Sequence, residues 1–325
     1  MSPVEGSTDT AQAASPTLAD EVGVQLRDQP RRLPAHALYD PLGSALFDAI
    51  CHLPWYPITR AETALLSAHR GAILESAGRQ TRVCELGPGN GEKLAILLQD
   101  PLPQGTHDVH LIDVSSTALE IATARLERLP QVSVTTHVAR YQDGLRSLDA
   151  TRVGDEPLLV CLLGSNIGNF DPDDARALLG EIRQTLRTGD TLLIGADLVK
   201  PAATLHAAYD DPLGVTAAFN RNVLVRLNRD LGADFDVDGF THDARWNPRA
   251  RRMEMHLVSR RPQRVRVPAA DLVIDLQASE SIWTESSYKY DAPGVDAMLR
   301  QVGFVPAVQW HDADAGFLLT LAAAR

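Results

Sequence analysis

At 325 residues, with 44% hydrophobic and 22% charged residues, the chain is long enough for about two globular domains and too apolar to be disordered. Its formal charge of −11 disfavours a nucleic-acid partner, whose binding rests on phosphate neutralisation. No apolar run approaches the roughly 18 residues of a membrane span, so no membrane partner is expected.

In chain order, the opening MSPVEGSTDTAQAASPT has neither the basic start nor the apolar middle of a signal peptide. It reads as a flexible tail over residues 1–20 of a cytoplasmic protein. From about Thr81 short apolar runs alternate with helical stretches, the pattern of a parallel sheet covered on both faces. Strands are expected at 81–87, 108–114, 132–139, 157–165 and 189–198. Helices fill the gaps: SSTALEIATARLERL opens on serines that can cap it, and DPDDARALLGEIRQTL on acids that suit a helix start. After Leu198 the rhythm breaks. HAAYDDPLGVTAAFNRNVLVRLNRDL reads as helical, and FTHDARW, the turn NPRAR and RMEMHLVSR read as a hairpin with period-2 alternation. VDAMLRQVGF, PAVQWHD and GFLLTLAAA then resume as helix, strand, strand. The fold class is therefore α/β, a Rossmann-like sheet interrupted by an inserted α+β region. The expected division is 62–200 plus 288–325 for the sheet domain, and 21–61 plus 201–287 for a second domain.

Cys51, Cys84 and Cys161 are odd in number and form no CxxC or CxxxC pair, so neither a disulfide framework nor a metal site is expected. Between Arg221 and Arg266 stand eleven Arg against five Asp and one Glu. A solvated surface with scattered arginines is the favoured reading of that stretch, and a basic docking face for an anionic ligand is the alternative.

The strongest local motif is Glu85-Leu86-Gly87-Pro88-Gly89-Asn90-Gly91, between the first strand and a helix. Three glycines let the backbone turn sharply and lie close to a ligand. A dinucleotide fingerprint would place glycine where Glu92 stands, which weakens an NAD oxidoreductase reading. The motif instead resembles motif I of the class I S-adenosylmethionine methyltransferases. Asp113, at the tip of the second strand, is placed to accept from two ribose hydroxyls.

RLPAHALYDPLGSALFDAICHLP, TRAE, GSNIGNF, GADLVK, YDDPLGVTAAFNRNVL, MEMHLVSR and TESSYKY extend the likeness. In order and spacing, from about Arg31 to the C-terminus, they resemble the bacterial L-histidine Nα-methyltransferases of ergothioneine biosynthesis. The resemblance implies transfer of methyl groups from S-adenosylmethionine to the α-amine of L-histidine until the nitrogen is quaternary. It implies cofactor contacts from Gly87, Lys93 and Asp113, with Tyr39 near the methionine end and Tyr141 over the adenine. Glu285 and Ser287 would hold the imidazole, Asn169 and Tyr209 the carboxylate, and Tyr56 would lie near the imidazole and amine as the catalytic candidate. Alternation puts Glu285 and Ser287 on one side of an extended segment, and Asn169 follows a strand end where open α/β sheets bind ligands. Met255 shares a strand face with Met253 and Leu257, as core or as pocket wall.

Two departures stand out. The family's Tyr-Tyr-Pro-Thr-Arg is here Tyr56-Pro57-Ile58-Thr59-Arg60, and its acid-aromatic pair after the third strand is Arg140-Tyr141. A guanidinium cannot accept from the adenine amino group. The favoured expectation is that Arg140 merely lacks that acceptor, and the alternative is that it stacks or pairs with an acid. The rival functions are the same chemistry on another amino acid or amine, such as tryptophan, and a cofactor-binding module without turnover. The sequence does not set an oligomeric state, and a monomer is the default.

Overall fold

A computed structural model of the protein describes residues 16–78, 82–100, 105–152 and 156–325. Residues 1–15 of the expected tail lie outside the described residues, whereas Leu18 to Asp20 are helical. Helix α1 (Leu18–Gln25) starts there because the Thr17 hydroxyl accepts from the Asp20 N–H while the Asp20 carboxylate accepts from the Thr17 N–H. Helix α2 (Pro41–Cys51) follows, capped by Asp40, and then the long α3 (Ile58–Ala77). The boundary expected at residue 62 thus falls inside a continuous helix.

The parallel region comprises β1 (Arg82–Leu86), α4 (Glu92–Leu97), β2 (His107–Asp113), α5 (Ser116–Leu126) and β3 (Val132–Val138). It continues through α6 (Tyr141–Thr151), β4 (Leu158–Leu162), α7 (Pro172–Thr185) and β5 (Thr191–Asp197). Every residue of β4 and β5 is buried, as their unbroken apolar runs require of strands covered on both faces. The edge strand β3 instead mixes exposed with half-buried positions.

The chain then leaves this sheet through α8 (Ala202–Tyr209) and α9 (Val215–Leu231). It forms β6 (Phe240–Asn247), β7 (Arg252–Ser259), β8 (Gln263–Val267), β9 (Leu272–Leu276) and β10 (Ser281–Tyr288), and returns as α10 (Ala292–Gln301), β11 (Phe304–Asp312) and β12 (Phe317–Ala324). The seven-stranded sheet has the order β11-β12-β5-β4-β1-β2-β3, with β1 to β5 parallel and β12 antiparallel to both neighbours. A second, antiparallel sheet has the order β10-β7-β6, beside a two-stranded ribbon of β8 and β9. The ribbon was not expected: RVRV alternates, but LVIDL carries an exposed Val273 that hides its alternation of burial. The boundary at 287/288 falls inside β10.

One expected helix is two. Pro212 and Gly214, the latter at φ +74°, interrupt it, and the Asp211 carboxylate accepts from the N–H groups of Leu213, Val215 and Thr216 at 2.8–3.2 Å to start α9. The break ends α8 at Tyr209.

The N-terminal segment packs on the second sheet. Leu33 N–H donates to Trp283 O and Trp283 N–H to Arg31 O, both at 2.9 Å, while the guanidinium groups of Arg32 and Arg252 lie 4.1 and 4.2 Å from the Trp283 ring centroid. Asp40, which caps α2, also accepts from Asn222 of α9 at 2.7 Å. Phe219 of α9 is fully buried between the rings of Tyr39 and Phe47, a burial worth roughly 2–3 kcal/mol. Eight of the eleven arginines of 221–266 are paired: Arg226 and Arg229 with Asp230, Arg245 with Asp243, Arg251 with Asp291, Arg252 with Glu254, Arg261 with Asp236, Arg264 with Asp275 and Arg266 with Asp234. That favours the solvated-surface reading over a basic docking face.

Candidate active site

Two features converge at the carboxyl ends of β1, β2 and β4. The first is the glycine turn after β1, where Gly87, Gly89 and Gly91 have φ of +71°, +55° and +73°, conformations that side chains rarely adopt. A Cβ on Gly91 would lie 2.9 Å from the Ala122 backbone, and one on Gly87 2.5 Å from the Tyr141 hydroxyl. Asp113 ends β2, and its Oδ1 accepts only from the Ser115 N–H, at 2.8 Å, among the described hydrogen bonds. Burial raises its carboxyl from the usual value. Burial lifts Glu85 to about 8, with Lys93 opposing and Glu62 adding to the shift, and Glu85 Oε2 has no partner among the described residues. A glycine cradle beside under-supplied carboxylates suits a ligand that brings hydroxyl and ammonium donors, as S-adenosylmethionine does.

Lys93, in the first turn of α4, does not stand free. Its Nζ lies 2.7 Å from Glu62 Oε2, and the fully buried Glu62 carboxylate accepts from the Gly164 N–H at 2.8 and 2.9 Å. Gly195 makes room for this: a Cβ there would sit 2.1 Å from Glu62 Oε1.

The second feature is a pocket that holds every expected substrate residue. Tyr56 comes from the α2–α3 turn, Asn169 from the 3₁₀ turn after β4, Tyr209 from the end of α8, Met255 from β7, and Glu285 and Ser287 from β10. Met255 pairs directly with Glu285 across the strands, and so forms pocket wall and core at once. Tyr39, expected at the methionine end of the cofactor, lies in this same pocket. Its ring packs edge-on against Phe47 and Phe219, and its hydroxyl donates to Glu285 Oε1 at 3.2 Å. Burial pushes the Glu285 carboxyl up to about 7, against the opposing effects of the Tyr39 bond and the Lys289 charge. Tyr56 and Tyr209 meet edge to face, with ring centroids 6.3 Å apart.

Behind the pocket lies a group that the sequence reading did not single out. Lys289 Nζ, wholly buried, is 2.7 Å from the Tyr209 hydroxyl, 2.9 Å from Ser287 Oγ and 2.8 Å from Asp197 Oδ2. The hydroxyls of Tyr209 and Ser287 are themselves 2.8 Å apart. Alternation along TESSYKY puts Lys289 in phase with Glu285 and Ser287, and this was the signal for it. Asn166 was also missed. It lines the pocket, and its amide would lie 3.0 Å from a Cβ on Gly87, so the loop from Gly164 to Asn169 is a wall shared by the glycine turn and the pocket.

Arg140 corrects the favoured expectation. Its Nη2 lies 2.6 Å from Glu21 Oε1 of α1, so it pairs with an acid instead of merely lacking an acceptor. Tyr141 stands with its hydroxyl against Gly87.

The chain matches the model of a family described as histidine-specific, SAM-dependent methyltransferases over residues 18–324. A Histidine N-alpha-methyltransferase of Mycolicibacterium smegmatis is 40% identical over 319 residues, covering 96% of both chains. One of Mycobacterium tuberculosis is 42% identical over 300 residues, covering 92% of both. Among solved structures, SAM-bound CalS10, an amino pentose methyltransferase from Micromonospora echinaspora, is similar at 14% identity and a TM-score of 0.41, covering 88% of this chain and 98% of that one. The chain belongs to the histidine-specific, S-adenosylmethionine-dependent methyltransferases.

Proposed function

We propose that the protein trimethylates the α-amino nitrogen of L-histidine, giving Nα,Nα,Nα-trimethylhistidine for ergothioneine synthesis. The observation that carries this reading is the single pocket in which the carboxylate of Glu285 and the hydroxyl of Ser287 share a wall, beside Asn169 and Tyr209. Its support from relatives is the two mycobacterial enzymes, together with an "Ergothioneine biosynthesis protein 1" of Neurospora crassa, 29% identical over 273 residues.

S-adenosylmethionine, when bound, supplies an already activated methyl group; Gly87, Lys93, Asp113 and Tyr141 are the residues that would hold it. The protein's part is alignment and exclusion of water, which can contribute several kcal/mol. Asn169 and Tyr209 hold the substrate carboxylate so that the amine faces the cofactor side. Glu285 accepts from an imidazole N–H, and Ser287 serves the other ring nitrogen. No strong base is needed, because an α-amine titrates at about 8 and a neutral fraction exists near neutral pH. Tyr56, kept protonated by burial, relays the departing proton onward to solvent, accepting it only as it gives up its own. On this reading the sheet domain, 62–200 plus 288–325, carries the cofactor and the segments 21–61 and 201–287 carry the substrate, in a cytoplasmic monomer that uses no metal.

The test is mass spectrometry of the purified protein with S-adenosylmethionine and the twenty amino acids. Histidine gaining one, two and three methyls on the α-nitrogen is expected. Methylation of tryptophan, of an imidazole nitrogen or of nothing overturns the reading.

A further inference from the structure

Lys289 follows β10, and its side chain ends among three oxygens: the Tyr209 hydroxyl, Ser287 Oγ and Asp197 Oδ2. An ammonium has three donors and no acceptor. Two of them go to the hydroxyls and the charge is paired with Asp197, so with no acceptor on the ammonium neither hydroxyl can pass its own proton to the lysine. Both hydroxyl oxygens are held as acceptors from behind, and both protons must go elsewhere. Tyr209 donates to Ser287 at 2.8 Å, and the Ser287 proton remains for the pocket. A substrate carboxylate beside Tyr209 would draw the second proton outward as well.

Charge balance does not account for the arrangement. Asp197 does not line the pocket, and its other oxygen already pairs with Lys200 at 2.6 Å. A lysine placed only to neutralise Asp197 would have no need to reach both hydroxyls.

We propose, on the functional reading above, that Lys289 is a positioning residue which commits the Tyr209 and Ser287 hydroxyls to donate into the substrate pocket. The pocket then demands acceptors at those two points, a carboxylate and an unprotonated ring nitrogen, while Glu285 demands one ring N–H. A neutral imidazole bearing one N–H and one bare nitrogen meets both ring demands. An all-carbon aromatic ring leaves the Ser287 proton without an acceptor and the second Glu285 oxygen without a donor, which is how a polar pocket rejects an apolar substrate. Lys289 therefore sets specificity without touching the substrate.

The test compares wild type, Lys289→Met and the double variant Asp197→Asn/Lys289→Met, each assayed for kcat and KM with histidine and for S-adenosylhomocysteine affinity by calorimetry. In Lys289→Met the KM for histidine should rise about 10- to 100-fold, the range of one or two buried hydrogen bonds. The values of kcat and of S-adenosylhomocysteine affinity should stay within about threefold, since the loss is one of ground-state and transition-state binding alike. The double variant restores charge balance but not the donors, so its KM should stay high. An unchanged KM in Lys289→Met overturns the proposal, and so does a KM recovered in the double variant, which would make Lys289 a counter-ion only. Where Lys289→Met does not fold, the double variant, which removes the uncompensated Asp197 charge along with the lysine, carries the same KM test. Failure of both to bind S-adenosylhomocysteine makes Lys289 structural and also overturns it. A wild-type protein that binds S-adenosylhomocysteine but leaves histidine unmethylated overturns the functional reading itself, and the proposal with it.

Discussion

The glycine turn after β1 and the pocket against β10 are neighbours built on opposite principles. Around the turn the backbone does the work: three left-handed glycines, strand ends and a loop N–H bound by Glu62 shape the surface. In the pocket the side chains do it, through a chain of contacts from Tyr39 to Glu285 and from Asp197 through Lys289 to Tyr209 and Ser287. A backbone site fails when something is added to it, and a side-chain site when something is removed.

Gly195→Ala tests the first half of that contrast and has the largest expected effect. The new Cβ would displace the buried Glu62 carboxylate from Lys93 and Gly164, and breaking such a buried pair costs about 3–5 kcal/mol. Urea unfolding should show that loss together with weaker S-adenosylhomocysteine binding. Stability within about 1 kcal/mol of wild type would mean that the turn region yields more than its packing implies.

Glu285→Gln probes the second half by way of pH. The Glu285 carboxyl stands at about 7 in the folded chain against an ordinary 4.5, so between those values the native state binds more protons than the unfolded state. Stability attributable to this group therefore falls as pH rises through that window. Glutamine does not titrate. The variant should match wild type near pH 4 and exceed it by about 3 kcal/mol at pH 8, read from denaturation at the two pH values. A constant difference across the window would show that burial does not strain this carboxylate.

Glu285→Ala should lower histidine kcat/KM by the roughly 1.5–3 kcal/mol of a charge-assisted hydrogen bond, and leave S-adenosylhomocysteine affinity nearly intact. Unchanged histidine kinetics would remove Glu285 from the substrate pocket. The smallest effect is expected of Arg140→Asp, which sets a second acid against Glu21 in place of a half-exposed ion pair. It should destabilise by about 0.5–1 kcal/mol and weaken the docking of α1, as thermal unfolding would show. Tighter cofactor binding in that variant would instead mean that an adenine acceptor was all the position lacked.

The same contrast explains what could be read in the sequence. Fully buried strands such as β4 and β5 announce themselves as continuous apolar runs, and a left-handed turn announces itself as glycine, because both demands are local. Glu285 and Ser287 were reachable through alternation and family likeness. The long-range pairs were not, since Asp197 meets Lys289, Glu21 meets Arg140 and Glu62 meets Gly164 across long stretches of chain. In the ribbon, β8 has a period-2 signal but β9 masks its own with the exposed Val273, and the α8–α9 break is spelled out by Asp211, Pro212 and Gly214. The bond from Tyr39 to Glu285 was hidden in the same way: the segment carrying Tyr39 folds across α9 and faces β10, a direction that no local pattern encodes.

The chain leaves the main sheet at Asp197 and returns to it at Tyr290, and these two points touch: Tyr290 N–H donates to Asp197 O and Val199 N–H to Tyr290 O, both at 2.9 Å. Everything between is a detour whose ends are already joined. Joined ends are the condition under which a segment can be exchanged between proteins without disturbing the host fold. In this chain the detour supplies Tyr209, Met255, Glu285 and Ser287 to the pocket, so a change within it alters one wall of the pocket while the strands that carry the glycine turn stay as they were.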